Sequence, residues 1–132
     1  GRAGGIALEA QAFQRKAAAA ERIGISVARP LGQDAALEHI VAIELPGFFD
    51  LAKINAWMDV FLQIKGVDLY RMKGVVGLTG ESRQFVFQGV HMMFGSEPGE
   101  PWGDEEPVNR IVFIGKDLDE NYIRRSLQRC LD

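Results

Sequence analysis

The chain has 132 residues, 47% apolar and 25% charged, and a net charge of −3. That length suits one domain with its own core, and the charge offers no global attraction to nucleic acid or an anionic membrane. A single cysteine, Cys130, excludes an intramolecular disulfide framework and fits a reducing, intracellular setting. No apolar run approaches the roughly 18–20 residues that a membrane span needs. The charge is uneven: residues 1–30 total +3 through Arg2, Arg15, Lys16, Arg22 and Arg29 against Glu9 and Glu21, leaving −6 for the rest.

Residues 7–22, "ALEAQAFQRKAAAAER", are strong helix formers. Leu8 and Phe13 are their only large apolar members, so an arm or connector is expected over residues 1–36. "ARPLGQD" then breaks the pattern. From residue 37, "LEHIVAIEL" alternates, with Leu37, Val41, Ile43 and Leu45 on one side and Glu38 and Glu44 on the other. His39 lies on the apolar side, where a hydrogen-bonded strand histidine is the plain reading and a metal or catalytic role the sharper one. "PGFF" turns the chain and Asp50 can cap a helix. Leu51, Ile54, Met58, Phe61 and Leu62 recur at helical spacing as far as residue 64, with Trp57 flanking them, and Gly66 supplies the stop.

"LYRMKGVVGL", residues 69–78, reads as a strand. Strict alternation puts Tyr70, Met72, Val76 and Leu78 on one face, and Leu69, Arg71, Lys73 and Val75 on the other. Gly74 falls on the apolar side and admits a close neighbour. "TGES" is a hairpin turn, and "RQFVFQGVHMM" returns antiparallel. Residues 94–109, "FGSEPGEPWGDEEPVN", read as a long acidic loop with three prolines, pinned to the body by Trp102. "RIVFIG" is a nearly continuous apolar strand, hence interior. Asp117 and Glu120 have capping-box spacing ahead of a last helix with Ile123, Leu127 and Leu131 inward. The expected class is α+β: a two-layer sandwich with a mostly antiparallel four-stranded sheet and helices on one face. The bare face would display Arg71 and Lys73.

Catalytic patterns are missing. The one Gly-Lys pair, Gly115-Lys116, has Arg110 five residues before the glycine and Asp117 after the lysine, so it is not G-x-x-x-x-G-K-[ST]. Cys130 in a terminal helix reads as a small core filler. His39, His91 and Cys130 have no spacing that forces one zinc site. Asp104, Glu105 and Glu106 read as a solvated loop. Catalytic, cofactor-binding and metal residues are therefore expected to be none.

"LYRMKGVV", "FVFQGVH", "PWG" ahead of "NRIVFIGKDLDE", and "IRRSLQRCL" together resemble the C-terminal domain of CobW-type GTPases, the zinc-regulated GTPase metalloprotein activators or metal chaperones. The resemblance covers residues 37–132, with wording closest to plant and algal members. Arg71, Lys73, Gly74, Gln88, Trp102, Arg110 and Gly115 fall on the family's recurring positions. The resemblance implies a parent that uses GTP, Mg and zinc through an N-terminal GTPase domain, and that passes metal to a client protein. Many relatives carry a histidine-rich linker ahead of this domain; "AFQRKAAAAERIGISVARPLGQD" has none.

The resemblance thus implies a non-catalytic regulatory and protein-interaction domain whose partners are a GTPase domain, in the same or a separate chain, and a client or assembly protein. Arg71, Lys73, Gly74, Gln88, Trp102 and Arg110 are its interaction candidates. Arg71 and Lys73 would meet an anionic surface, or else form surface ion pairs with Glu38 or Glu44. One rival is a stand-alone structural subunit of a larger assembly that retains only this domain. Another is a small enzyme using His39 or His91.

Overall fold

The computed structural model describes residues 14–24, 40–90 and 93–132. A helix over residues 14–22 (α1) is followed by β1 (Ile40–Pro46), α2 (Leu51–Lys65), β2 (Leu69–Val76), β3 (Arg83–Val90), β4 (Met93–Pro101), β5 (Val108–Gly115) and α3 (Glu120–Gln128). The strands form one antiparallel sheet in the order β1-β5-β2-β3-β4. β5 returns between β1 and β2, which explains its apolar run: it is paired on both sides and covered on both faces.

Five strands stand where four were expected. The added one is β4, which occupies the first half of the expected acidic loop and pairs with β3 from Val90 opposite Met93 to Arg83 opposite Pro101. Its sequence, MFGSEPGEP, holds two prolines and two glycines. Prolines suppress the strand signal in sequence yet are tolerated at the edge of a sheet, where β4 lies. The register slips between Arg83 and Phe85.

A second slip alters the facing of residues in β2. Leu69 faces Gly115 and Arg71 faces Ile114, so two β2 residues span one step of β5. Such a bulge turns the residue before it to the opposite face. Leu69 is thereby fully buried and Tyr70 is 48% exposed, the reverse of strict alternation. From Met72 onward the expected alternation holds, with Met72 and Val76 buried and Lys73 and Val75 half-buried.

The main core lies between the sheet and the pair α2 and α3. Val41, Ile43 and Leu45 of β1, Met72 and Val76 of β2, Phe87 of β3, and Ile111 and Phe113 of β5 meet Ile54, Met58 and Phe61 of α2 and Ile123 and Leu127 of α3. Burying each such side chain contributes about 1.5–3 kcal/mol. Asp50 caps α2 by accepting from the Lys53 amide at 3.1 Å, as expected. Leu51, in the first turn, instead faces solvent. Trp57 stacks on Phe61 with centroids 4.7 Å apart and donates its indole N–H to Ser126 Oγ at 2.7 Å, tying α2 to α3. The cap of α3 is Asp119, which accepts from the Tyr122 amide, and not Asp117, which adopts φ 56°.

α2 and α3 share one face, but α1 lies on the other. Ala20 and Ile23 pack there against Ile40, Val112, Ala42, Val75 and Ile114. Among the described residues, Ala20 of α1 and Ile23 just after it are the buried apolar contacts of the arm, and β1 and β5 supply most of the rest of that apolar surface.

The corner between β1 and α2 is held by hydrogen bonds from distant parts of the chain. Phe49 is fully buried; its N–H donates to Gly77 O (2.8 Å), and its carbonyl accepts from Thr79 N (3.0 Å). Asp50 N donates to Cys130 O, and Asp132 N to Phe48 O, so the C-terminal residues close on the same corner. Asn109, 1% exposed, donates to Leu45 O (3.0 Å) and Gly47 O (2.9 Å) and accepts from Gly77 N (2.7 Å).

Asn109→Ala removes both donors and the acceptor and leaves buried backbone groups unpaired. A loss of about 2–4 kcal/mol is expected, read as a lower urea midpoint with an unchanged slope. Cys130 is also buried, with its thiol near Ser126 O (3.5 Å) and Lys53 O (3.6 Å). Burial pushes the thiol above its ordinary value near 9.0; Lys53 opposes the rise and Asp50 adds to it. The folded chain thus holds this proton more tightly than the unfolded chain does. That contribution is complete below the unfolded value and is lost as pH climbs through the folded one. Unfolding free energy should therefore fall above about pH 9 in the parent chain and fall less in Cys130→Ala, as measured by urea titrations across pH.

Candidate functional site

The register brings together, on the α1 side of the sheet, four of the six residues expected to make contacts. Lys73 lies directly between Val112 of β5 and Gln88 of β3. Arg71 is one pleat along, between Ile114 and Val90, and Arg110 faces Val75. Cross-strand neighbours on one face sit about 4.5–5.5 Å apart between Cβ atoms, so Lys73 and Gln88 form a single polar unit. Arg71 and Gln88 are exposed, whereas Lys73 is half-buried.

The cause of that burial corrects the expectation of a bare face. The end of α1 approaches the Lys73 head: a Cβ built on Gly24 would stand 2.7 Å from Lys73 Nζ. α1 covers the β1 and β5 part of this face through Ala20 and Ile23, and its cluster reaches Val75 of β2. Arg71 and Gln88 lie beside the covered area.

The expected pairing with Glu44 goes elsewhere. β5 intervenes between β1 and β2, so Glu44 faces Arg110 across the strand pair and accepts from Arg110 Nε at 3.1 Å. Arg22 of α1 adds a second cation to the same oxygen at 3.7 Å. These are exposed pairs worth about 0–1 kcal/mol; their effect is to orient Arg110 along the sheet. Among the described residues neither Arg71 nor Lys73 is in an ion pair. Glu38, His39 and His91 lie outside the described residues.

Gly74 and Trp102 are not part of this face. An added Cβ on Gly74 would stand 3.0 Å from Ile111 Cγ1, so the glycine lets β5 pack closely on β2 from the core side. Trp102, 7% exposed, packs across Gly77, where an added Cβ would come 3.3 Å from its ring and 3.1 Å from Phe48. Its indole N–H has no hydrogen-bond partner among the described residues. Trp102 N donates to Ser82 O, joining the end of β4 to the β2–β3 turn. Gly115 likewise leaves room for the carbonyl of Asp68. These positions serve packing, while Arg71, Lys73, Gln88 and Arg110 place polar side chains on the α1 side of the sheet.

Asn109 is the polar residue that sequence reasoning missed. A lone asparagine ahead of an apolar strand has no periodic or capping signature, and its partners are 32 to 64 residues away. Asp104, Glu105 and Glu106 are exposed. No three His, Cys, Asp or Glu side chains among the described residues are grouped to hold a metal ion.

Comparison with known proteins gives this geometry a family. The sequence family described as the cobalamin synthesis protein cobW C-terminal domain matches residues 39–131. The chain is 34% identical over 84 residues to the zinc chaperone YjiA of Escherichia coli K12, covering 64% of this chain and 26% of YjiA. It is 28% identical over 90 residues to the zinc chaperone CobW of Pseudomonas aeruginosa, covering 67% of this chain and 23% of that protein. It therefore spans about a quarter of the length of these relatives. Crystal structures of Zn(II)-bound YjiA GTPase from E. coli and of a Zn(II)-bound triple mutant of YjiA GTPase superpose with a TM-score of 0.69 at 28% identity. Both cover 82% of this chain and 35% of the solved chain. On the match over residues 39–131, carried by a fold that superposes on those structures, this chain belongs to the family of CobW C-terminal domains.

Proposed function

We infer that this chain acts as the non-catalytic regulatory and protein-interaction domain of a GTP-dependent zinc chaperone, with an arm over residues 1–36 and the interaction domain over 37–132. The observation that carries this is the family match over 39–131 in a chain spanning only about a quarter of relatives named zinc chaperones. The chain's own residues do not fit the cofactors such a parent uses. The sequence has no G-x-x-x-x-G-K-[ST] for GTP and magnesium. The donor set for zinc is equally thin, at two histidines and one cysteine. GTP hydrolysis and metal handling accordingly belong to a GTPase domain, with a client protein receiving the metal.

In this proposal Arg71, Lys73, Gln88 and Arg110 make the contact surface, and Gly74 and Trp102 hold its shape. Arg71 lies beside the area covered by α1 and without an ion pair among the described residues, a suitable anchor for an acidic partner surface. Affinity to plant and algal members, and a reducing compartment, cytoplasmic or chloroplast, belong to the same proposal. Their supports are the wording of the matched phrases and the single cysteine. A second reading, a structural subunit of a larger assembly, draws on the arm: it has no histidine, and its helix packs on the sheet through Ala20 and Ile23.

The test supplies the GTPase domain of a full-length relative as a separate protein and titrates it calorimetrically. Arg71→Glu combined with Lys73→Glu should weaken binding at least about tenfold. Unchanged affinity would retire this contact surface. No binding by the unmodified chain would favour the structural subunit.

A further inference from the structure

A cleft of about 490 Å³ lies between α1, β1 and α3, on ground that the proposed function does not use. Its lining is Arg15, Lys16, Ala18, Ala19 and Arg22 from α1, Ala42 and Glu44 from β1, and Glu120 and Arg124 from α3. The arrangement accounts for the alanine tract bracketed by cations in the arm. Arg15, Ala18, Ala19 and Arg22 follow the i, i+3, i+4, i+7 spacing of one helix stripe. Their neighbour Ala20 is turned into the sheet and is fully buried. Ala18 and Ala19 therefore leave open space between two guanidinium arms, and Ala42 keeps the facing wall equally short.

Charge around that space is unbalanced. Four cations, Arg15, Lys16, Arg22 and Arg124, meet two carboxylates, Glu44 and Glu120, for a net +2. Lys16 is held by Glu120 at 3.4 Å and Arg22 by Glu44 at 3.7 Å. Those two pairs dock α1. Arg15 and Arg124 are in no ion pair among the described residues. Like charges gathered in a concave site raise the local positive potential and draw in an anion.

We propose that this cleft binds a small phosphate-bearing molecule, with the Arg15 and Arg124 guanidinium groups as its ligands. A dianionic phosphate matches the +2 excess, and a guanidinium fork matches phosphate oxygens in a bidentate way that a lone ammonium cannot. The volume falls within the roughly 300–1,000 Å³ of small-molecule sites. Three of its four cations precede residue 39, where the family match begins, so the site joins the arm to the family domain. It rests on none of the metal-chaperone reading.

Inorganic pyrophosphate, titrated into the isotopically labelled 132-residue chain at about 0.15 M ionic strength, is the probe. Saturable amide shifts confined to Ala18, Ala19, Arg22, Ala42, Glu44 and Arg124 are expected. Arg15→Gln with Arg124→Gln should weaken that binding at least about tenfold, with an unchanged circular dichroism spectrum. Shifts that never saturate, or that are as large at Arg71 and Arg83, would mean diffuse charge attraction and overturn the site. Full affinity in the double variant would overturn it too. So would tighter binding there by a polyglutamate peptide, which would make the cleft a protein-docking surface.

Discussion

The fold depends on one buried amide. Asn109 stands where β5 begins, and its side chain bridges the end of β1, the turn after it and the end of β2. The Leu45 carbonyl and the Gly77 N–H are buried there and the Gly47 carbonyl is half-buried, so each needs a partner within the protein. An amide carries both donors and an acceptor on one short stem, which no apolar residue of that size can do. With the corner fixed, Phe49 can sit fully buried beneath it, and the C-terminal residues Cys130–Asp132 close against Phe48 and Asp50. One buried side chain thereby couples the first strand, the second strand and the last residues of the chain.

That corner also sets the division of labour across the sheet. The α2 and α3 side is committed to packing, with a continuous apolar cluster from Val41 to Cys130. The other side is mixed: α1 takes the apolar patch around Ile40 and Val112, and Arg71, Lys73 and Gln88 border it. Arg71 and Gln88 lie beside the part that α1 covers and stay exposed, which keeps their desolvation cost low. Among the described residues, Ala20 and Ile23 seat the arm on the sheet. Its hold is supplemented by Lys16 with Glu120 and Arg22 with Glu44, pairs that weaken as salt rises.

Much of this was legible in the sequence, for identifiable reasons. Alternation in "IVAIEL" and the Asp50 cap are local signals, and both correspond to β1 and α2. The antiparallel return of β3 on β2 followed from the turn between them. Hidden features were those decided by distant parts of the chain. β4 was obscured because Pro98, Pro101, Gly95 and Gly99 carry loop propensities, and only pairing to β3 makes the segment a strand. The bulge at Leu69–Arg71 inverted the facing of Leu69 and Tyr70, since alternation assumes a step that the pairing to β5 does not keep. Of the interaction candidates, Arg71, Lys73, Gln88 and Arg110 share a face as their register dictates. Gly74 and Trp102 belong to packing, a distinction that no single-sequence pattern encodes.

The composition of β4 has a further consequence, for how this module can assemble. An open sheet invites copies of itself to zip on edge to edge, and runaway growth of that kind needs two receptive rims. Pro98 and Pro101 leave gaps in the row of backbone donors along one of them, and Glu97 and Glu100 add charge beside the gaps. A filament begun at the β1 rim would find its far end blunt. A strand added along β4 would meet two missing donors and two carboxylates beside them.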